Sequence, residues 1–143
     1  MDNSYAGVGT SYKLKNGNDD MNITVKQAFA AMYYLLDKYY GQKKIDDLGT
    51  MLGSMNLHLG MPADVAMWCE WVTIVNKVMP YEAGRECLDT NIAFQAILAF
   101  LDHYQRYAGL DIQQVIEDLG SEQTGNVDFK KIWLESIEQT IAG

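Results

Sequence analysis

Ala28-Phe29-Ala30-Ala31-Met32-Tyr33-Tyr34-Leu35-Leu36-Asp37-Lys38-Tyr39 is echoed 65 positions later by Ala93-Phe94-Gln95-Ala96-Ile97-Leu98-Ala99-Phe100-Leu101-Asp102-His103-Tyr104, with six of twelve positions identical. At about 100° per residue, the apolar positions of both stretches gather on one side of a helix. The likeness continues downstream with small shifts of register. Asp47, Leu48, Met51, Leu52 and Met55 correspond to Asp111, Ile112, Val115, Ile116 and Leu119, then Val65, Met67, Trp71, Val75 and Met79 to Val127, Phe129, Trp133, Ile137 and Ile141. Three segments agreeing in order mark two copies of one unit. A pair of similar helical units shares a core and presents a broad composite surface, which suits holding a partner better than enclosing a small substrate.

Working outward from these stretches, Thr24 offers an N-cap with Gln27 three residues later, a capping box. The first helix is expected from Val25 to Tyr40, ended by Gly41. Asp46 or Asp47 is expected to cap the second, whose Leu48, Met51, Leu52 and Met55 keep helical spacing. Pro62 suits the first turn of the third, with Met67, Trp68, Trp71, Val72, Ile74, Val75 and Val78 as its apolar arc and Pro80 as its stop. Asp89 or Thr90 caps a fourth helix that buries Phe94, Ile97, Leu98, Leu101 and Tyr104. The fifth buries Ile112, Val115, Ile116 and Leu119, the sixth Phe129, Ile132, Trp133, Ile137 and Ile141.

No segment alternates with period two for long, so the expected class is all-α: about six helices forming two similar three-helix units packed as one domain. Residues 1–20, rich in Gly, Asn, Ser and Asp, read as a loose lead-in. The first unit covers 21–80, a connector 81–89 and the second unit 90–143. Units of about 55 residues are marginal alone, so the two are expected to fold together.

Apolar residues make up 48% of the 143, which argues against disorder of the whole chain. No apolar stretch approaches the roughly 20 residues that cross a bilayer, and no basic flank precedes an apolar segment at the N-terminus. The expectation is a cytoplasmic protein. Cys69 and Cys87 show no metal-ligand spacing. Free thiols are the default, with a disulfide between them left open by sequence but not needed in a chain of this size.

The formal charge of −8 is uneven. Residues 24–79 carry five basic and five acidic groups, whereas residues 90–143 carry three basic (Arg106, Lys130, Lys131) against eight acidic ones, hence −5. Nucleic acid is a poor partner for such a surface, because affinity for it comes chiefly from Lys and Arg on phosphates. A basic protein is a good one, since acidic patches accelerate its encounter. Solubility alone is the plainer explanation of the same charge.

Catalysis needs convergent groups, and few candidates stand out. His103 is expected to face solvent beside Asp102 and Arg106, and the first unit has Lys38 in its place. His58 stands apart from any ligand pattern, and neither histidine belongs to a metal motif. Cys69 falls on the polar side of its helix and Cys87 in the connector, each a nucleophile only if a base arrives from elsewhere. Asp37 and Asp102 occupy equivalent positions, read as structural because no second carboxylate stands one turn from Asp37. The glycines form no phosphate-cradling loop. No cofactor or metal is expected. Tyr34, by contrast, points away from Phe29, and exposed tyrosines supply large contact area at low entropic cost. Tyr39 and Trp71 are expected to serve contacts within the chain.

Gln27-Ala28-Phe29-Ala30-Ala31-Met32-Tyr33-Tyr34-Leu35-Leu36-Asp37-Lys38-Tyr39-Tyr40, followed by Asp46-Asp47-Leu48-Gly49-Thr50-Met51-Leu52-Gly53-Ser54-Met55 and Pro62-Ala63-Asp64-Val65-Ala66-Met67-Trp68-Cys69-Glu70-Trp71, resembles small helical immunity proteins encoded beside bacterial polymorphic toxins, notably those of contact-dependent growth inhibition. The resemblance covers residues 21–79, carried by the double Tyr, Asp-Asp-Leu-Gly and Trp-x-x-Trp in that order. It implies a protein without catalytic activity that binds the toxin domain delivered by neighbouring cells, often a nuclease, and blocks it. The family pattern is one such unit, whereas this chain has a diverged second copy and an extra N-terminal stretch, which leaves open which unit meets the toxin.

The expected function is therefore stoichiometric inhibition of a cognate, basic toxin domain by a chain that is monomeric or weakly dimeric when free. Asp102, Glu117, Asp118, Glu122, Glu135 and Glu138 are the candidates for electrostatic steering, with Tyr34, Tyr107 and His103 for closer contact. The alternatives are a helical adaptor or homodimer module, and a small hydrolase using Cys69, Cys87 or His103.

Overall fold

The computed structural model describes residues 22–58, 61–62, 64–79, 87–121, 123–124 and 127–142. The lead-in expected over 1–20, most of the 81–89 connector, Pro80 and Glu122 lie outside the described residues. The class is all-α, with six helices and three very short strand pairs among those residues. In chain order the elements are β1 (Asn22–Thr24), α1 (Val25–Gln42), α2 (Asp46–Met55), β2 (Leu57–His58), β3 (Met61–Pro62), α3 (Val65–Val78), β4 (Cys87–Asp89), α4 (Thr90–Tyr107), α5 (Gln113–Ser121), β5 (Gln123–Thr124), β6 (Val127–Asp128) and α6 (Phe129–Ala142). No described helix is long and apolar enough to cross a membrane.

The capping box opens α1 as expected: Thr24 Oγ1 accepts from Gln27 N and Gln27 Oε1 from Thr24 N, both at 2.9 Å. Asp89 caps α4 through Asn91 N. Other boundaries moved. Gly41 does not end α1, which continues to Gln42 because packing of the preceding turns outweighs one glycine's weak helix propensity. The residue before α2 is Ile45, and Asp46 and Asp47 sit inside its first turn, where carboxylates complement the helix dipole. Pro62 belongs to the β2–β3 hairpin rather than to α3, whose cap is Asp64. At the far end of α4, Gly109 takes φ +72°, the left-handed geometry that lets a chain leave a helix at low cost.

Cys87–Asp89, expected to be connector, forms a strand, and its pairing exposes the symmetry of the molecule. β1 and β4 run antiparallel with Ile23 directly opposite Leu88. These two residues are equivalents under the 65-residue repeat, so a local two-fold axis passes between them. A second pair of equivalents meets elsewhere: Asp47 Oδ2 accepts from Asp111 N at 2.6 Å. Around this axis the third helices are exchanged along most of their length. α6 lies along α1 and α3 lies along α4, while α3 meets α1 only at its first turns, where Trp68 and Trp71 pack on Phe29 and Trp71 bonds to Val25. The halves are thus interlocked, each long helix covered mainly by the short helix of the other repeat.

One continuous core results. Phe29, Trp71 and Phe100 meet edge to face at centroid distances of 5.5–6.2 Å, and Trp71 Nε1 donates to Val25 O at 3.1 Å. Tyr39 and Trp71 are fully buried, as their assignment to contacts within the chain requires. Burial follows the repeat: Met67, Trp71, Ile74 and Val75 in α3 match Phe129, Trp133, Ser136 and Ile137 in α6, all 62 residues on. Phe94, Leu98, Tyr104, Ile116 and Ile132 are only half-buried, and Ile141 is exposed because it lies in the last turn of α6. Phe100, which the apolar arc of α4 did not include, is fully buried against α3.

Candidate partner-binding surface

The expected contact residues fall in several places. At the C-terminal end of α4, the Tyr107 ring is 76% exposed and rests on the His103 imidazole with centroids 4.8 Å apart. His103 does not stand free in solvent. Its Nε2 lies 3.4 Å from Oε2 of Glu70 in α3, whose Oε1 accepts from the Tyr104 hydroxyl at 2.5 Å. Glu70 therefore ties two α4 side chains to α3, and Tyr107 is held by stacking on one of them. Burial, then the hydrogen bond and charge of Glu70, push the Tyr104 hydroxyl well above the usual phenol range, so it remains a proton donor throughout the physiological range.

Asp102 pairs with Arg106 one turn on at 3.0 Å, which offsets the charge it could offer a partner. Glu117 is exposed on α5, on the other flank of α4, and is joined to it through Gln113 and Gln105. Glu135 and Glu138 are exposed on α6. Tyr34 is half-buried on α1, packed edge-on to Tyr33, with the Lys38 ammonium 5.7 Å from its ring centroid. Lys38 also reaches Gln139 of α6 at 2.7 Å. Two regions result: the end of α4 beside α3, and the outer face of α6 with the neighbouring side of α1.

Asp118 is the clear departure from expectation. It is only 4% exposed and cannot steer a partner. Its Oδ2 accepts from the Tyr39 hydroxyl at 2.6 Å and from Lys43 Nζ at 2.8 Å, and its Oδ1 from Gln114 at 2.8 Å. Burial alone would raise its pKa, but the bonds from Lys43, Tyr39 and Gln114 outweigh it and hold the carboxyl below its ordinary range. Burial, then Asp118 itself, push the Tyr39 hydroxyl far upward. Sequence could have hinted at this, because Asp118 borders the apolar arc of α5 between Val115 and Leu119. The partners stand 75 and 79 residues away and carried no signal.

A group whose pKa falls on folding stabilises the fold above the unfolded value, and that contribution disappears as pH drops through the folded value. Asp118→Asn is accordingly expected to cost about 1–3 kcal/mol at pH 7, with the gap to the parent closing below about pH 4. Urea melts of both proteins at pH 7 and pH 3 check this, and an equal gap at both would refute it.

Cys69 is exposed on α3, Cys87 is half-buried in β4, and both are free thiols. Among the described residues, no group of three or more His, Cys, Asp or Glu could hold a metal ion. Comparison with protein-family models, curated proteins and solved structures finds no match.

Proposed function

We propose that this chain is an immunity protein that binds a cognate bacterial toxin domain, a nuclease in the favoured reading, and neutralises it stoichiometrically in the cytoplasm without catalysis. The observation that carries the reading is Tyr107: a large aromatic ring presented to solvent, steadied by His103 and in turn by Glu70, on the half of the chain whose charge is −5 from residues 90–143. A pre-positioned aromatic loses little freedom on binding, and such residues dominate interface energetics. Exposed Glu117, Glu135 and Glu138 supply the field that attracts a basic partner. The resemblance of residues 21–79 to immunity proteins supplies the partner class.

The test uses the C-terminal domain of a secreted protein encoded next to this chain. Reversing Glu117, Glu135 and Glu138 to Lys together is expected to slow association about tenfold or more at low salt and to flatten its salt dependence. Tyr107→Ala is expected to speed dissociation, by about thirtyfold if the ring is a hot spot. Stopped-flow association with unchanged rates in the triple variant would remove the acidic field from the account, and absence of any binding by the parent would remove the function.

A further inference from the structure

The two halves depart from each other beside Phe94, where a cleft of about 150 Å³ is lined by Asn91, Phe94, Gln95, Lys130 and Trp133. In the first half Phe29 is enclosed edge-on by two indoles, Trp68 and Trp71, each with its centroid 6.0 Å away. In the second half Phe94 keeps only the equivalent of Trp71, the ring of Trp133 at 5.7 Å. The 62-residue offset that matches the buried faces of α3 and α6 places Lys130 where Trp68 stands. Phe29 is consequently sealed, whereas Phe94 is half-exposed at the wall of the cleft.

The geometry points to a socket for one neutral aromatic side chain, tryptophan or tyrosine, of a partner polypeptide, seated on Phe94 where the first half seats its own Trp68. This rests on reading the chain as a partner-binding protein and adds where the partner anchors. Volume agrees for a single ring, since about 150 Å³ is the space that benzene fills, and the cleft is open on one side to the remainder of the side chain. Charge complementarity agrees as well. The Lys130 ammonium, the one charged group among the described residues that line the cleft, favours the electron-rich face of a ring, and the Phe94 and Trp133 rings beside it offer an aromatic guest stacking that a small anion cannot use. The Asn91 and Gln95 amides can meet an indole N–H or a phenol hydroxyl. A chain attached to the ring has further surface to cover. Leu134 and Ile141, 44% and 49% exposed, fall within about 40° of Lys130 around α6 and continue the apolar strip along the helix.

The full chain, ¹⁵N-labelled, is titrated with N-acetyl-tryptophanamide and N-acetyl-leucinamide. The tryptophan probe is expected to shift the Trp133 indole and the Asn91 and Gln95 amide signals, and the leucine probe to leave them in place. Lys130→Trp, which gives the second half the residue of the first, is expected to abolish the response while the melting temperature stays level or rises. Responses elsewhere, equal response to leucine, or persistence in Lys130→Trp would overturn the socket. Tighter binding of indole-3-acetate than of the amide would overturn the neutral-ring assignment. Concentration-dependent sedimentation lost in Lys130→Trp would replace the partner by a second copy. With a toxin domain that binds the parent, Lys130→Trp is expected to weaken affinity about thirtyfold, and unchanged affinity would overturn the anchor. A toxin domain that ignores the parent sinks the proposed function, while the probe titration still decides the socket by itself.

Discussion

Trp71→Ala is expected to destabilise the fold by about 3–5 kcal/mol, a large share of the roughly 5–15 kcal/mol available to a domain of this kind. The indole is fully buried between Phe29 and Phe100 and donates to Val25 O at the start of α1. Truncation leaves a cavity where α1, α3 and α4 meet and removes the hydrogen bond that joins α3 to the first turn of α1. The melting temperature should fall by roughly 10–20 °C. The equivalent change Trp133→Ala should cost clearly less, because that ring already borders an open cleft and has less enclosed volume to lose. Thermal melts followed by circular dichroism decide between them. Equal losses at the two positions would contradict the asymmetry of the two halves.

Separating the halves should have a still larger effect. Expressed alone, neither a fragment ending at Met79 nor one beginning at Pro80 is expected to form a folded monomer. Each would lack the helix that covers its long one, since α6 lies on α1 and α3 on α4. At 79 and 64 residues the fragments are in any case small for independent folding. Mixed in equal amounts, the fragments should recover helicity and a cooperative melt, because exchanged elements re-form their contacts between chains as well as within one. Cooperative melting by either fragment as a monomer in sedimentation would show that the exchange is dispensable.

Much of the architecture was legible. The six helices follow from apolar spacing, the α1 cap from Thr24 and Gln27, and the duplication from the matched residues of α1 and α4. The contact residues were less legible. Tyr107 is exposed, but Asp118, an acid in an acidic segment, turned inward to satisfy Tyr39 and Lys43. Glu70 was missed because its role exists only where α3 meets α4. Strand β4 was missed because three residues are too few for a periodic signal, and their partner lies 65 residues away.

Local rules therefore determined where each helix lies and the broad side it buries, since periodicity and capping act over one or two turns and are written in adjacent positions, while single residues such as Phe100 and Asp118 turned inward for tertiary reasons. Which helix covers which was decided only in the folded chain. Two amphipathic helices with the same apolar spacing present similar faces to either partner, so apolar pattern cannot distinguish packing within a repeat from exchange between repeats. The Ile23–Leu88 pairing, the Asp47–Asp111 contact and the reach of Tyr39 and Tyr104 into the opposite half make that choice, through contacts whose geometry requires both copies to be in place.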